Sequence, residues 1–412
     1  MKSFFTVKKP EEVLKLIDQF TPCGVEIIPV ENALGRILSQ DIIAKENLPD
    51  FFRSSMDGYA VKAENTFGAS ESLPCILELA GEVLMGQAPG MTLAEGQAVK
   101  ISTGGMLPEG ANGVVMVEYC HLLDDKTIEV SRTIAPLENV IQPGDDLKIG
   151  STVLKKGCKL RPQDLGVIAG LAYSNISVFT KPKVAIISTG DEIIPINETP
   201  GVGQVRDINR YTLGAFCQMF GADPIYAGIC RDDFNALKKM IDNVMEKADS
   251  IWISGGSSVG TRDLTLKVFE SLHDFELLVH GISISPGKPT IIGRSESKPI
   301  IGLPGHVASA MVVAQVYLRH LLLRLSGYTD SSSASRYRIN AIISQNIESA
   351  SGREDYIRVK LTEKGNVLIA EPVFGKSGLI STLVDSDGLV RVDMNTEGLY
   401  EGQMIEVLLF SA

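Results

Sequence analysis

Between Lys183 and Ser326 the chain alternates short apolar runs with longer amphipathic ones, and few folds satisfy that pattern. Val184-Ala-Ile-Ile-Ser reads as a strand buried on both faces. Ile208–Phe220 reads as a helix closed by Gly221, Pro224–Ile229 as a strand, Phe234–Ala248 as an amphipathic helix and Ile251–Ser254 as another strand. A helix over Leu264–Leu272 follows, then strands over Glu276–Ile284, Thr290–Ile292 and Pro299–Ile301, and a long helix from about Ala308 to Ser326. Such alternation predicts a mostly parallel sheet covered by helices on both faces, with ligands at the carboxyl ends of its strands.

That rule directs attention to the loops leaving those ends. Ser254-Gly255-Gly256-Ser257-Ser258-Val259-Gly260 lies between a strand and a helix, where small residues let backbone N–H groups and hydroxyls close on an anion in front of the helix dipole. The plainer alternative is a turn. Asp191 and Glu192 end the first strand, Asp232 and Asp233 the next, and Asp263 stands at the start of the helix after the loop. These carboxylates on one edge suit a Mg²⁺ site or a general base. Asp233 and Asp263 suit helix capping equally well. Pro286-Gly287-Lys288-Pro289 is not a phosphate-binding P-loop, because the upstream Gly281 is one residue too distant and Pro289 stands where Ser or Thr must meet the metal. Lys288 reads as a point charge for an anion, or as ordinary surface charge. Gly302-Leu-Pro304-Gly305-His306 offers further N–H donors, with His306 as a ligand contact or a structural residue.

The rest of the chain has a different texture. Pro10–Phe20 is helical in pattern, Val25–Val30 a strand and Glu31–Leu38 a short helix. From Asn47 to about residue 143, β-like runs broken by Gly and Pro predict an all-β insert, with strands over Cys75–Leu84, Ala98–Ile101, Gly113–Val117 and Thr127–Ser131. Asp57 and Thr103 sit in its Gly-rich turns. A turn-rich stretch over Asn139–Gly150 leads to a helix over Pro162–Leu171. The expected layout is a discontinuous α+β linking domain (1–46 and 144–180), a β-rich inserted domain (47–143), an α/β domain (181–327) and a C-terminal β domain (328–412), with Gly327–Arg336 as linker.

Size and charge narrow the function. A chain of 412 residues exceeds what one hydrophobic core serves. Its 39 basic and 50 acidic residues give a formal charge of −11, which argues against broad nucleic-acid binding. Six scattered cysteines without a Cys-x-x-Cys pair suggest a reducing compartment. The N-terminus lacks a secretory apolar core and no 18-residue uncharged apolar run occurs, so a cytoplasmic protein that does not span a membrane is expected.

Several motifs, in this order and spacing, resemble the molybdopterin molybdenumtransferase family, related to the E domain of gephyrin. They are Ser55-Met-Asp-Gly-Tyr-Ala-Val, Thr103-Gly-Gly with Pro108-Glu-Gly-Ala and Glu118, Gly144-Asp-Asp, Ser188-Thr-Gly-Asp-Glu, Gly203-Gln-Val-Arg-Asp-Ile-Asn, Ser254-Gly-Gly-Ser-Ser-Val-Gly, Pro286-Gly-Lys-Pro and Gly302-Leu-Pro-Gly. The resemblance covers essentially the whole chain. It implies an elongated homodimer of four-domain subunits, in which the cleft lies between the α/β domain of one subunit and the β insert and terminal domain of the other. It also implies a reaction on adenylylated molybdopterin, in which molybdate enters the dithiolene and the adenylate is hydrolysed off with Mg²⁺. The positions matching the family's functional residues are Asp57, Thr103, Asp146, Glu192, Asp232, Asp263, Arg358 and Ser377. Cofactor contacts are expected at Gly255, Gly256, Ser257, Ser258 and Gly260, at Pro286, Gly287 and Lys288 and at Pro304 and Gly305, metal contacts are expected from Asp191, Glu192, Asp232 and Asp263, and the resemblance implies a molybdopterin adenylyltransferase upstream.

The chain departs from that pattern at four positions. Many members carry lysines where this chain has Gly281 and Ser285, Asn where it has His306, and Val where it has Ser257. Each absent lysine removes a charge-assisted contact worth about 1.5–3 kcal/mol. A noncatalytic molybdopterin-binding carrier or scaffold, or a tungstate-specific enzyme, therefore stands as the alternative. Adenylylation by the α/β domain itself would need an ATP site that no P-loop supplies.

Overall fold

The computed structural model describes residues 7–255, 259–329 and 337–411, with backbone alone for 259–263. The expected linker falls largely on 330–336, outside the described residues. The chain gathers into two compact units, one of Met1–Gln40, Lys156–Pro162 and Asn175–Ala412, the other of Asp41–Lys155 and Gln163–Ser174.

The first unit is organised on a six-stranded sheet in the order Asp223–Cys230, Lys183–Thr189, Ser250–Gly255, Lys298–Leu303, Ile291–Ser295, Glu276–His280. The first four strands run parallel, Ile291–Ser295 runs antiparallel to them and Glu276–His280 antiparallel to Ile291–Ser295, so the expected mostly parallel α/β sheet is present. Its central strands carry apolar residues at successive positions because both faces are covered. Val184, Ile186 and Trp252 pack against Leu213, Phe216 and Cys217 of the helix Asn209–Met219 on one face. On the other face, Ala185, Ile187, Ile251 and Ile253 meet Leu237 and Ile241 of Phe234–Met245 and Val268 and Phe269 of Val259–Glu270. Register sets Thr189 beside both Cys230 and Gly255, and Ser254 beside Leu303. Loops 190–193, 231–233 and 304–306 therefore leave from one edge.

The C-terminal strands of this unit close on themselves. Glu354–Lys364 pairs with Val367–Pro372, which pairs in turn with Arg338–Ile343, Met404–Leu409 and Gly388–Val392, and the last returns to the first. Ile343, Val359, Ala370, Val392 and Val407 fill the barrel. Closure leaves no open edge along this ring.

In the second unit, six strands lie in the order Gly113–Met116, Gly58–Val61, Gln97–Ile101, Cys75–Val83, Thr127–Val130, Cys120–Asp124. Alternation sends Tyr59 and Val61 into one buried cluster and Ala60 into another. Val140–Ile141 pairs with Arg53–Ser54, Thr152–Leu154 pairs with Ile42–Ile43, and the helix Pro162–Gly170 follows.

Three sequence expectations need correction. The helix over Glu31–Leu38 is a single 3₁₀ turn, Val30–Asn32, because Gly35 takes φ 74° and its N–H goes to Leu160 O at 2.9 Å, turning the segment into bridges with Lys159 and Val178. The strand expected over Glu276–Ile284 stops at His280, and Ile284–Ser285 instead joins the barrel strand at Glu354 and Asp355. Asp263 does not open its helix, which begins at Val259, so capping does not account for it. The long helix runs from Val307 to Leu325 with a π-helical segment over Ala314–Leu318.

One buried polar link joins two central strands. Ser250 Oγ donates to Pro299 O at 2.9 Å and accepts from Trp252 Nε1 at 3.0 Å, and both side chains are fully buried. Ser250→Ala leaves the indole N–H without its acceptor, so the unfolding transition reported by the fluorescence of Trp252, the single tryptophan, should lose about 1–3 kcal/mol in urea titration. An unchanged midpoint would show that the link adds nothing.

Candidate active site

The acidic loops come first along the carboxyl edge. Gly190, at φ 146°, lets the chain turn sharply out of its strand, and the Glu192 carboxylate folds back over it: a Cβ at 190 would stand 2.7 Å from Glu192 Oε2. Asp191 Oδ1 accepts from the Asp232 N–H at 3.4 Å. Asp232 is half-buried, and its burial, followed by the charges of Asp191 and Glu192, raises its carboxyl above the ordinary aspartate range. Asp191, Glu192 and Asp232 are thus brought together. Asp233 is a helix cap, accepting from Ala236 N at 2.8 Å. Among the described residues no set of three or more His, Cys, Asp or Glu is arranged to hold a metal ion. The Asp263 side chain lies outside the described residues.

Beside these carboxylates run the loops predicted to meet an anion. Gly255, at φ 150°, lies so close to Thr189 that a Cβ would stand 2.1 Å from both its carbonyl oxygen and its hydroxyl, so no other residue fits. Gly256, Ser257 and Ser258 lie outside the described residues, and Gly260 is the second residue of the following helix. In Pro286-Gly287-Lys288, Gly287 O accepts from Thr290 Oγ1 at 2.7 Å and Lys288 O from Ile282 N at 2.9 Å, leaving the Lys288 side chain exposed. Pro304 is buried, and Gly305 O accepts from Asn209 Nδ2 at 2.9 Å.

The structure adds a contact that spacing along the chain does not reveal. His306 Nδ1 lies 2.8 Å from Ser377 Oγ, across 71 positions of sequence, and Ala308 N donates to Ser377 O at 3.0 Å. Arg358, 8% exposed, donates to Gly375 O at 2.7 Å, while its buried Nε has no hydrogen-bond partner among the described residues. Burial pulls its guanidinium below the ordinary arginine value.

Buried polar atoms also stand out, most of them on residues that carried no role in the sequence reading. Ser188 Oγ, Ser254 Oγ, Asp207 Oδ2 and Asn209 Oδ1 are buried without partners among the described residues. Ser188 and Ser254 are register neighbours and share the face of Ile186 and Trp252 by alternation. Asp207 and Asn209 belong to the Gly203–Asn209 motif, so a hydrophilic pair opening a helix was the signal available.

In the second unit, Asp57 Oδ1 accepts from Thr103 N at 2.7 Å and Thr103 Oγ1 at 3.1 Å, joining those two predicted residues. Asp146 is exposed, with its N–H on Leu48 O at 3.0 Å.

Comparison with known proteins covers nearly the whole chain. Residues 8–172 match the MoeA N-terminal region (domain I and II), residues 185–324 a probable molybdopterin binding domain, and residues 340–410 the MoeA C-terminal region (domain IV). A putative molybdopterin biosynthesis protein of Methanocaldococcus jannaschii is 36% identical over 394 residues, 93% of this chain and 92% of that one. The molybdopterin molybdenumtransferase of Haemophilus influenzae is 30% identical over 400 residues, 96% of this chain and 97% of its own length. A crystal structure of a MoeA molybdopterin biosynthesis protein of Pyrococcus horikoshii superposes with a TM-score of 0.85 at 36% identity, covering 99% of this chain and all of that one. The chain belongs to the MoeA family of molybdopterin biosynthesis proteins.

Proposed function

We propose that this protein is a molybdopterin molybdenumtransferase, inserting molybdate into adenylylated molybdopterin with release of AMP. The observation that carries this reading is end-to-end similarity to relatives of that name, at 30% identity over 96% of the chain for the Haemophilus influenzae enzyme. The edge supplies chemistry that suits it. Backbone N–H groups and Lys288 favour phosphate and oxyanion groups, and carboxylates stand beside them to manage protons. Hydrolysis of the adenylate forms a bond from water oxygen to phosphorus, breaks the phosphoanhydride bond and leaves a proton to be taken up. Asp232, with its raised proton affinity, suits that uptake.

Mg²⁺ belongs to the proposal rather than to the described geometry. Asp191, Glu192, Asp232 and Asp263 would hold it, and the charge crowding at Asp232 is what a divalent cation relieves. Bound there, it would neutralise phosphate charge. A homodimer, an upstream molybdopterin adenylyltransferase and a cytoplasmic location are proposed with it. Among the described residues no helix is long and apolar enough to cross a membrane. Light scattering of the eluting protein should give twice the chain mass of 44.4 kDa.

Two substitutions test the acidic edge. Glu192→Gln should lower the rate of molybdate-dependent AMP release by at least about tenfold while moving the KM for adenylylated molybdopterin little, as expected of a charge used in the transition state. Unchanged turnover would make Glu192 structural. Asp232→Asn should slow AMP release yet raise Tm slightly at neutral pH. A carboxyl whose folded pKa is raised costs stability above that pKa, and the cost fades as pH falls through the folded pKa toward the unfolded one. The gain in Tm should therefore vanish near and below about pH 4. A variant destabilised at pH 7 would contradict the repulsion.

A further inference from the structure

His306 is an exposed residue whose ring nitrogen Nδ1 sits 2.8 Å from the hydroxyl of Ser377. A serine hydroxyl carries one proton, and an imidazole nitrogen either donates or accepts. When Nδ1 is bare, Ser377 spends its proton on the ring and turns lone pairs toward its surroundings. When Nδ1 carries hydrogen, the ring donates to Oγ and the Ser377 proton is free to point elsewhere. An anion beside Ser377 accepts only from the second arrangement.

The surroundings leave that proton as the adjustable part. The backbone of Ser377 is pinned by Ala308 N on its carbonyl, and Gly375 two residues earlier by the guanidinium of Arg358. Arg358 brings a cation more than nine-tenths buried, with Nε unpartnered among the described residues. A buried cation from the barrel strand, bonded to the pinned loop that carries the hydroxyl, suits a tetrahedral oxyanion.

We propose that His306 is a positioning residue: its Nδ1–H holds Ser377 Oγ so that the hydroxyl proton points to a bound oxyanion, molybdate in the reaction above. The inference rests on the reading of the protein as a molybdenumtransferase and adds the residue that sets oxyanion affinity. It does not require His306 to touch the anion. It also gives Asn a defined rescue role, because an asparagine Nδ2–H can replace the histidine Nδ1–H as donor to the hydroxyl.

The test uses the full chain, with sodium molybdate titrated calorimetrically and AMP release followed in parallel. His306→Leu should weaken molybdate binding about ten- to a hundredfold, the loss expected of one hydrogen bond to a charged group. The KM for molybdate should rise alike, with the KM for adenylylated molybdopterin and Tm nearly unchanged. His306→Asn should return molybdate binding to within a fewfold of the parent. Ser377→Ala and the His306→Leu/Ser377→Ala double variant should lose equally, since both remove one coupled unit. Parent-like molybdate binding by His306→Leu, absence of rescue by Asn, or additive losses in the double variant overturns the inference while AMP release by the parent still supports the enzyme. A parent protein that neither binds molybdate nor releases AMP overturns both.

Discussion

The arrangement of the first unit depends on the register of four parallel strands. Thr189, Cys230 and Gly255 stand side by side, and Ser254 faces Leu303, so every loop that follows departs from one line. Burial on both faces fixes that register, because a slip by one residue would exchange Ile186 and Trp252 with Ile187 and Ile253 between two separate cores. The close contact of Gly255 with Thr189 tightens it at the point where chemistry begins. The site is therefore a consequence of core packing, and the Ser250–Trp252 link belongs to the same constraint.

The edge carries opposed charge requirements. Asp191, Glu192 and Asp232 crowd negative charge, while the Pro286–Lys288 loop exposes a cation. In a chain of net charge −11, attraction for an anion must be local. Arg358, buried and with Nε unpartnered among the described residues, is a cation whose field is little screened by water, and it would supply that attraction through the loop that bears Ser377. Repulsion among the carboxylates is a stability cost concentrated where function is proposed, a common trade at working sites.

Much of this was legible in the sequence because it follows local periodicity. Val184-Ala-Ile-Ile-Ser announces a strand covered on both sides, and the strand-end rule then places Glu192 and Asp232 together without further information. Glu31–Leu38 misled because its apolar spacing suits a helix, whereas Gly35 and pairing with a segment more than a hundred residues later decide the backbone. Capping explained Asp233 but not Asp263, since only the true helix start separates the two. His306 drew notice as a lone histidine beside a Gly-Pro loop. Its partnership with Ser377 depends on how the barrel approaches the sheet within one unit, and no local pattern encodes that. That Ser188, Ser254, Asp207 and Asn209 each bury an atom unpartnered among the described residues was hidden for the same reason: sequence pattern tells which face a residue takes, not whether a partner waits there.

The register-aligned edge, with the loop bearing Ser377, is the proposed seat of the oxyanion. Crystals of the full chain soaked in tungstate, a heavy stand-in for molybdate, would give an anomalous difference map that locates the metal directly. A peak is expected within hydrogen-bonding reach, about 3–4 Å from metal to donor, of Ser377 Oγ and beside Arg358 and the Pro304-Gly305 loop. A saturated crystal with its peak elsewhere on the protein, or with none in this region, would contradict it.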